Sequence, residues 1–154
     1  MHKTVIAVSM AAMAWAQSAA AQPVPTSLYV LVEDVDAAGS ACGLTAEVER
    51  SAIRSSMRYN RISESTDPDS TPEVYVNTNT LQISGGLCVT SYMVSIRQFV
   101  PADAPRPYGE FMYCEEGGLL SGANHGDRVS GSIKTAFDRC LSRIQDKAAA
   151  IRPN

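Results

Sequence analysis

The chain has 154 residues, and its 13 basic and 16 acidic side chains give a formal net charge of −3 at pH 7. This length is enough for one domain with one hydrophobic core. The mild acidity suits a soluble protein and argues against a nucleic-acid partner, which would need a basic surface.

The N-terminus has the features of an export signal. Lys3 supplies the positive start, Thr4–Ala16 form an apolar run, and Ala19-Ala20-Ala21 provides the small residues of a cleavage site. We expect residues 1–21 to be removed and residues 22–154 to form a single domain in the bacterial periplasm or the external medium. No later stretch is long and apolar enough for a transmembrane helix, so none is expected after the signal is removed.

All four cysteines lie after the expected cleavage site. An even number of cysteines in an exported domain predicts two disulfides, and four cysteines allow three pairings. We predict Cys42–Cys88 and Cys114–Cys140, because these pairs close loops of modest length; four buried free thiols are the alternative. The spacing of the cysteines and the single histidine after the signal, His125, argue against a zinc site.

The first elements after the signal are a strand and a helix. Leu28–Val32 is an uninterrupted apolar run, which predicts a strand buried on both faces at the centre of a sheet. Gly39 indicates a loop. Thr45 is a suitable N-cap for a helix that ends near Tyr59. The buried stripe of this helix is expected to consist of Val48, Ala52, Ile53 and Met57. A short strand is expected over residues 61–65.

The middle of the chain predicts a β-hairpin. Residues 74–83 and 87–100 alternate in polarity and flank Gly85-Gly86, so they should pair as antiparallel strands. The face of the second strand that we expect to be buried consists of Cys88, Tyr92, Val94 and Ile96. A proline-rich loop over residues 101–109 follows the hairpin.

A further strand and a helix complete the expected fold. Phe111–Cys114 has the composition of a strand, and the glycines between Gly117 and Gly126 indicate a loop. Apolar residues then recur at helical spacing from Val129 to Ala148, and Phe137 and Leu141 should lie on the buried side of this helix.

The order strand, helix, strand, hairpin, strand, helix predicts a two-layer α/β sandwich, with a mainly antiparallel sheet of about five strands and two helices packed on one face. This order resembles the small periplasmic domains at the amino end of TolB and in the lipoprotein CsgG. The matching stretches are Leu28–Asp34, the helix from Thr45, Asn60–Ser65 and the hairpin through Tyr75–Asn79. The four cysteines and the proline-rich loop depart from that pattern. The resemblance implies a role in envelope assembly without catalysis, and it supplies no functional residue.

The search for catalytic chemistry finds no motif. Gly117–Gly122 lacks the spacing of a nucleophile elbow, and His125 is expected to be an exposed loop histidine. Glu33, Asp34 and Asp36 follow the first strand and could hold a cation, but a solvated strand end is the simpler interpretation. We therefore predict no catalytic residue, no metal and no cofactor.

Two features favour binding. The stiff loop with Arg106 and Tyr108 suits a partner contact, and Tyr75, Asn77 and Asn79 share one strand face. Their alternatives are an ordinary connection and the wet face of a sheet. A row of arginines on the first helix could bind an anion, or could be a solvated face supported by Glu47. These arginines are Arg50, Arg54 and Arg58.

The sequence thus predicts an exported, disulfide-bonded, non-catalytic binding or envelope-assembly domain. Its partner would be another envelope or secreted protein, and its oligomeric state is open. One alternative is a small secreted hydrolase that uses Glu33, Asp34 or His125. The other is a small-ligand-binding protein with an apolar pocket between helix and sheet.

Overall fold

The structure is a computed structural model that describes residues 24–69, 71–83, 85–100, 109–122 and 124–150. The expected signal and its cleavage site lie outside the described residues. The elements in chain order are β1 (Ser27–Val32), α1 (Ala37–Ala41), α2 (Ala46–Tyr59), β2 (Ser63–Ser65), β3 (Glu73–Ile83), β4 (Leu87–Val100), β5 (Gly109–Gly122) and α3 (His125–Ala150).

The five strands form one mixed sheet in the order β2-β1-β3-β4-β5. β1 runs parallel to both β2 and β3, and the hairpin β3–β4 and the pair β4–β5 are antiparallel. α2 packs on β1 and β2, α1 on β3, and α3 on β4 and β5. The predicted α/β sandwich is confirmed, with the short α1 as an additional helix.

The core lies between this helix layer and one face of the sheet. Side chains alternate between the two faces of a strand, so β1 buries Leu28, Val30 and Val32 and leaves the residues between them partly exposed. The prediction that β1 is central and buried on both faces is therefore wrong: helices cover one face, and β3 is the middle strand.

α2 begins where the sequence predicts but turns a different face inward. Thr45 is the N-cap, and its Oγ1 accepts a hydrogen bond of 3.1 Å from the Val48 N–H. The Val48 residue is 37% exposed, so its placement in the buried stripe is wrong. The residues that α2 buries are Glu49, Ile53, Ser56 and Met57. Two of these residues, Glu49 and Ser56, are polar, so the spacing of apolar residues alone did not identify the buried stripe.

α1 replaces the loop that Gly39 suggested. Asp36 is its N-cap and accepts a hydrogen bond of 2.6 Å from the Gly39 N–H. A Cβ at Gly39 would lie 2.6 Å from Val35 Cγ1 and 3.4 Å from Thr80 Oγ1. The glycine therefore accommodates the Val35 side chain just before α1, while the distance to Thr80 on the sheet is an ordinary contact.

β5 is much longer than the predicted strand Phe111–Cys114. It pairs with β4 along almost its whole length, with one register irregularity beside Ile96, so Gly117-Gly118 lies inside a strand and not in a loop. The Tyr92 ring lies across from Gly118, where a Cβ would come within 2.9 Å of the phenol oxygen. The glycine makes room for this ring, which compensates for the missing side chain.

Both predicted disulfides are present. Cys42–Cys88 joins the end of α1 to the start of β4, and Cys114–Cys140 joins β5 to α3. The predicted buried side of α3 is confirmed, since Phe137 is 0% and Leu141 is 1% exposed. The hairpin and its buried face are also as predicted.

Candidate binding surface

No helix of the described chain lies on the second face of the sheet, which we call the open face. Its residues on β3 are the odd-numbered ones from Tyr75 to Ile83, and those on β4 run at the same parity from Leu87 to Phe99. Leu119 and its alternate neighbours on β5 continue it. The predicted set Tyr75, Asn77 and Asn79 lies here, so the structure confirms that these three share a face.

One end of the open face, next to the hairpin turn, is apolar. We call it the apolar end. Leu81 lies opposite Val89, and Ile83 lies opposite Leu87. The exposed fractions are 71% for Leu81, 71% for Leu119, 47% for Ile83 and 44% for Leu87. Leu119 lies opposite Ser91, one row farther from the turn than Leu81. Exposed aliphatic side chains grouped on one sheet face are of the kind that marks interaction sites.

The opposite end of the open face is organised around Arg97. Its guanidinium donates to Glu73 at 2.6 Å and to Glu110 at 3.4 Å. The same group lies 4.0 Å from the centroid of the Tyr75 ring and 5.2 Å from that of Phe99. Ion pairs and cation–π contacts together hold this side chain in one orientation.

A polar strip connects the two ends. Asn79 donates a hydrogen bond of 2.8 Å to Asn77 through their side chains. Burial raises the pKa of the neighbouring Tyr75 phenol, and the carboxylate of Glu33 raises it further. Ser95, opposite Tyr75 on β4, is 1% exposed, and its Oγ has no hydrogen-bond partner in the described residues. The side chains of Tyr75, Asn77 and Asn79 offer donors and acceptors beside an apolar end, whereas the Ser95 hydroxyl is buried beneath them.

The two layers of the molecule differ in charge. The open face carries the acidic residues Glu73, Glu110 and Glu115, and Arg97 as its basic residue within the described strands. The other described basic residues lie on or beside the helices: Arg50, Arg54, Arg58, Arg61, Arg128, Lys134, Arg139, Arg143 and Lys147. The open face therefore has a negative balance that favours a basic ligand.

The loop candidates Arg106 and Tyr108 lie outside the described residues. Glu33 and Asp34 are exposed, and Asp36 is occupied as the N-cap of α1. The described part of the chain contains no group of three or more side chains suited to hold a metal ion.

The arginine row on α2 is held by local acidic groups. Arg54 makes two hydrogen bonds of 2.8 Å to Glu64 on β2 and lies 3.6 Å from Glu47. The Glu64 carboxylate raises the pKa of Arg54, and Arg54 in turn lowers the pKa of Glu64. The row thus includes a link between α2 and the sheet edge and is not an open anion site at this position.

His125 is not the exposed loop histidine that the sequence suggests. It is the first residue of α3, it is 5% exposed, and its Nε2 is 2.6 Å from Thr90 Oγ1. Thr90 Oγ1 in turn lies 2.7 Å from Thr80 Oγ1. Burial lowers the pKa of His125, and the positive charge of Arg128 lowers it further. The glycines near His125 suggested a loop. Gly126 instead allows the start of α3 to pack closely against the backbone of Gly43.

The backbone of Gly122 acts on His125 in the opposite direction and favours the protonated ring. The His125 Nδ1 is nevertheless buried and makes no hydrogen bond of normal geometry within the described residues. The net effect is that the ring is neutral at neutral pH and anchors α3 to the sheet.

Glu49 is a buried carboxyl group that the sequence interpretation missed. It is 0% exposed, and its Oε1 accepts a hydrogen bond of 2.9 Å from Thr78. Burial raises its pKa, and the bond from Thr78 only partly opposes this. Residues four apart lie on the same face of a helix, so the position of Glu49 four residues before the buried Ile53 could have indicated its burial. Thr78 shares the helix-covered face with Val76, so Glu49 is separated from the open face by the sheet.

Comparisons with known proteins supply no family. No protein-family model matches the chain, and no curated protein matches it. Among solved structures it is similar to a minor lipoprotein from Acinetobacter baumannii, with 9% identity and a TM-score of 0.31 over 83% of this chain and 96% of that one. A TM-score this low supports no conclusion about shared fold or role, and it does not confirm the predicted resemblance to TolB and CsgG. No helix among the described residues has the length and hydropathy needed to cross a membrane.

Proposed function

We propose that this chain is an exported, non-catalytic protein-binding domain. Its open face would bind a segment of another envelope or secreted protein that carries both apolar and basic side chains. The observation that carries the proposal is the apolar end, where Leu81 and Leu119 are each 71% exposed on a sheet face that no described helix covers.

The apolar end would supply most of the affinity. Fully burying an exposed leucine side chain is worth about 1.5–3 kcal/mol. A partner that covers the two leucines and their half-exposed neighbours would therefore gain binding free energy from each of them. Folding gains little from them, because they remain in contact with water in the free domain.

The rest of the open face would supply selectivity. Its negative balance favours a partner with lysine or arginine, and the amides of Asn77 and Asn79 can bond to a polypeptide backbone. Arg97 is already oriented by Glu73 and Tyr75, so little ordering cost remains for it on binding.

The two disulfides support the compartment in this proposal. Such bonds persist in oxidising environments, which include the periplasm and the external medium. The N-terminal pattern expected to be an export signal agrees with this assignment.

Random peptides displayed on phage can test the binding chemistry directly. We expect peptides selected on the immobilised protein to be enriched in lysine or arginine together with apolar residues. Leu81→Lys should reduce the affinity of these peptides about tenfold or more, since it replaces the single leucine of β3 by a positive charge that repels basic peptides.

The matched control is Val48→Lys, which adds the same charge at an exposed apolar residue of the helix layer. It should leave peptide binding unchanged. The proposal would be wrong if Val48→Lys and Leu81→Lys weakened binding equally, or if the selected peptides were acidic.

A further inference from the structure

The three acidic residues of the open face differ in what lies beside them. Glu73 and Glu110 both contact the guanidinium of Arg97, at 2.6 Å and 3.4 Å. A lysine or arginine that approached either carboxylate would meet the positive charge of Arg97, and like charges at contact distance repel each other. Glu115 is exposed and forms no ion pair with any described residue.

The two other carboxylates near Glu115 or Tyr75 are engaged. Glu116 follows Glu115 in sequence but lies on the helix-covered face, where Arg143 is 2.6 Å from it. Glu33, just after β1, interacts with the phenol of Tyr75. Glu115 is therefore the carboxylate of this sheet face that is most available to a basic side chain of another molecule.

Glu115 also lies within reach of a ligand that covers the apolar end. Glu115, Gly117 and Leu119 are alternate residues of β5 on the open face, so the first and last are about 14 Å apart. Gly117 places no side chain between them, and a Cβ there would come within 2.7 Å of the Tyr92 carbonyl oxygen. The apolar stem of a lysine or arginine can lie over this gap while its charged end reaches Glu115.

The row of residues that crosses the sheet at Glu115 contains another polar group without a partner. Ser95 lies opposite Glu115 on β4, and its buried Oγ makes no hydrogen bond within the described residues. Side chains on opposite residues of antiparallel strands have Cβ atoms about 5 Å apart. A cationic donor bound by Glu115 thus approaches a hydroxyl group whose hydrogen bond is unmade.

We infer that Glu115 is the residue that selects a lysine or arginine in the segment bound by the open face. Leu81 and Leu119 contact the apolar side chains of that segment, and Glu115 receives its positive charge. This inference rests on the proposed function, since it assigns the charge preference of the open face to one carboxylate.

Peptides selected on the unmodified protein provide the first test. Glu115→Gln should weaken their binding about two- to fivefold at low ionic strength, which is the range that an exposed ion pair provides. The loss should lie mainly in the association rate, because exposed charges act chiefly on encounter. It should disappear in about 1 M salt, where charges are screened within about 3 Å.

The matched control is Glu47→Gln, which removes the same charge from the helix layer. The Glu47 side chain is 71% exposed on α2, so the variant has the same net charge as Glu115→Gln. It should leave the affinity and the association rate unchanged. Thermal melts of both variants should match the unmodified protein, because neither side chain is buried.

A second selection tests the assignment by charge reversal. Random peptides selected on Glu115→Lys should keep their apolar residues, lose the enrichment in lysine and arginine, and gain aspartate or glutamate. Continued enrichment in basic residues on this variant would overturn the inference.

The outcomes separate this inference from the proposed function. If Leu81→Lys weakens binding more than Val48→Lys does, while Glu115→Gln and Glu47→Gln have equal effects, the assignment to Glu115 is wrong and the open face remains the binding surface. If Leu81→Lys and Val48→Lys have equal effects, both proposals are wrong.

Discussion

The two faces of this sheet are built from the same strands and differ in exposure. On the helix-covered face, Val74, Val76 and Val94 are fully buried, while on the open face Leu81 and Leu119 are 71% exposed. Alternation along a strand makes this division possible, because one set of residues can build the core without constraining the other. Substitutions on the first face should change stability, and those on the second should change binding.

The largest effect on the covered face is expected at Phe137. This α3 side chain is fully buried in the core, so Phe137→Ala removes its packing and leaves a cavity. The loss should be about 3–5 kcal/mol of unfolding free energy. Chemical denaturation would measure it, and an unchanged midpoint would place this part of α3 outside the core.

The disulfides should rank next. Replacing either pair by alanine should cost about 2–4 kcal/mol, mainly through the unfolded chain. The Cys42–Cys88 separation is 46 residues and that of Cys114–Cys140 is 26, so loop entropy favours a larger effect for the first by about 0.5 kcal/mol. Thermal melts of the two double variants would compare them, and a reversed order would show that packing around Cys140 dominates.

His125 should make the covered face sensitive to acid. Its folded-state pKa lies below the ordinary value of 6.5, so the unfolded chain takes up the proton first. The stability that the neutral ring contributes is complete above about pH 6.5 and is lost as the pH falls through the window below it. Denaturation at a series of pH values should show this slope, and His125→Gln should remove it. An identical slope in both proteins would assign the acid sensitivity to other groups.

Glu49 should act with the opposite sign. Its folded-state pKa lies above the ordinary value of 4.5 because burial disfavours the charged form. The stability of the protonated group is complete below about pH 4.5 and is lost as the pH rises through the folded-state pKa. Glu49→Gln should therefore lose less stability than the unmodified protein between pH 4.5 and pH 7. Parallel curves for the two proteins would contradict this.

The smallest stability effect is expected on the open face. Leu81→Ala removes a side chain that is 71% exposed, so unfolding free energy should change by less than about 0.5 kcal/mol. The same variant should weaken binding of the selected peptides. A loss of stability close to that of Phe137→Ala would show that the open face is covered in the intact chain.

The sequence predicted the elements better than their faces. Strand alternation and turn glycines located the hairpin, and helical spacing located the buried side of α3. The errors at Val48 and His125 share one cause. Each depends on which side chains the opposite layer presents, and one-dimensional spacing does not contain this information.

The candidate surface was predictable only in part. Shared parity placed Tyr75, Asn77 and Asn79 on one face, as the structure shows. The exposure of Leu81 and Leu119 was not predictable, because an apolar residue in a strand is ordinarily assigned to the core. Only the finding that the described helices pack on a single face shows that these leucines remain exposed.

NMR can test directly whether a peptide binds to the open face. Titration of the labelled protein with a selected basic, apolar peptide should shift the backbone amides of Asn77, Asn79 and Leu81. The amide of Arg139, which is exposed on α3, should remain unshifted. Shifts concentrated around Arg139, with the three β3 amides unchanged, would contradict the account.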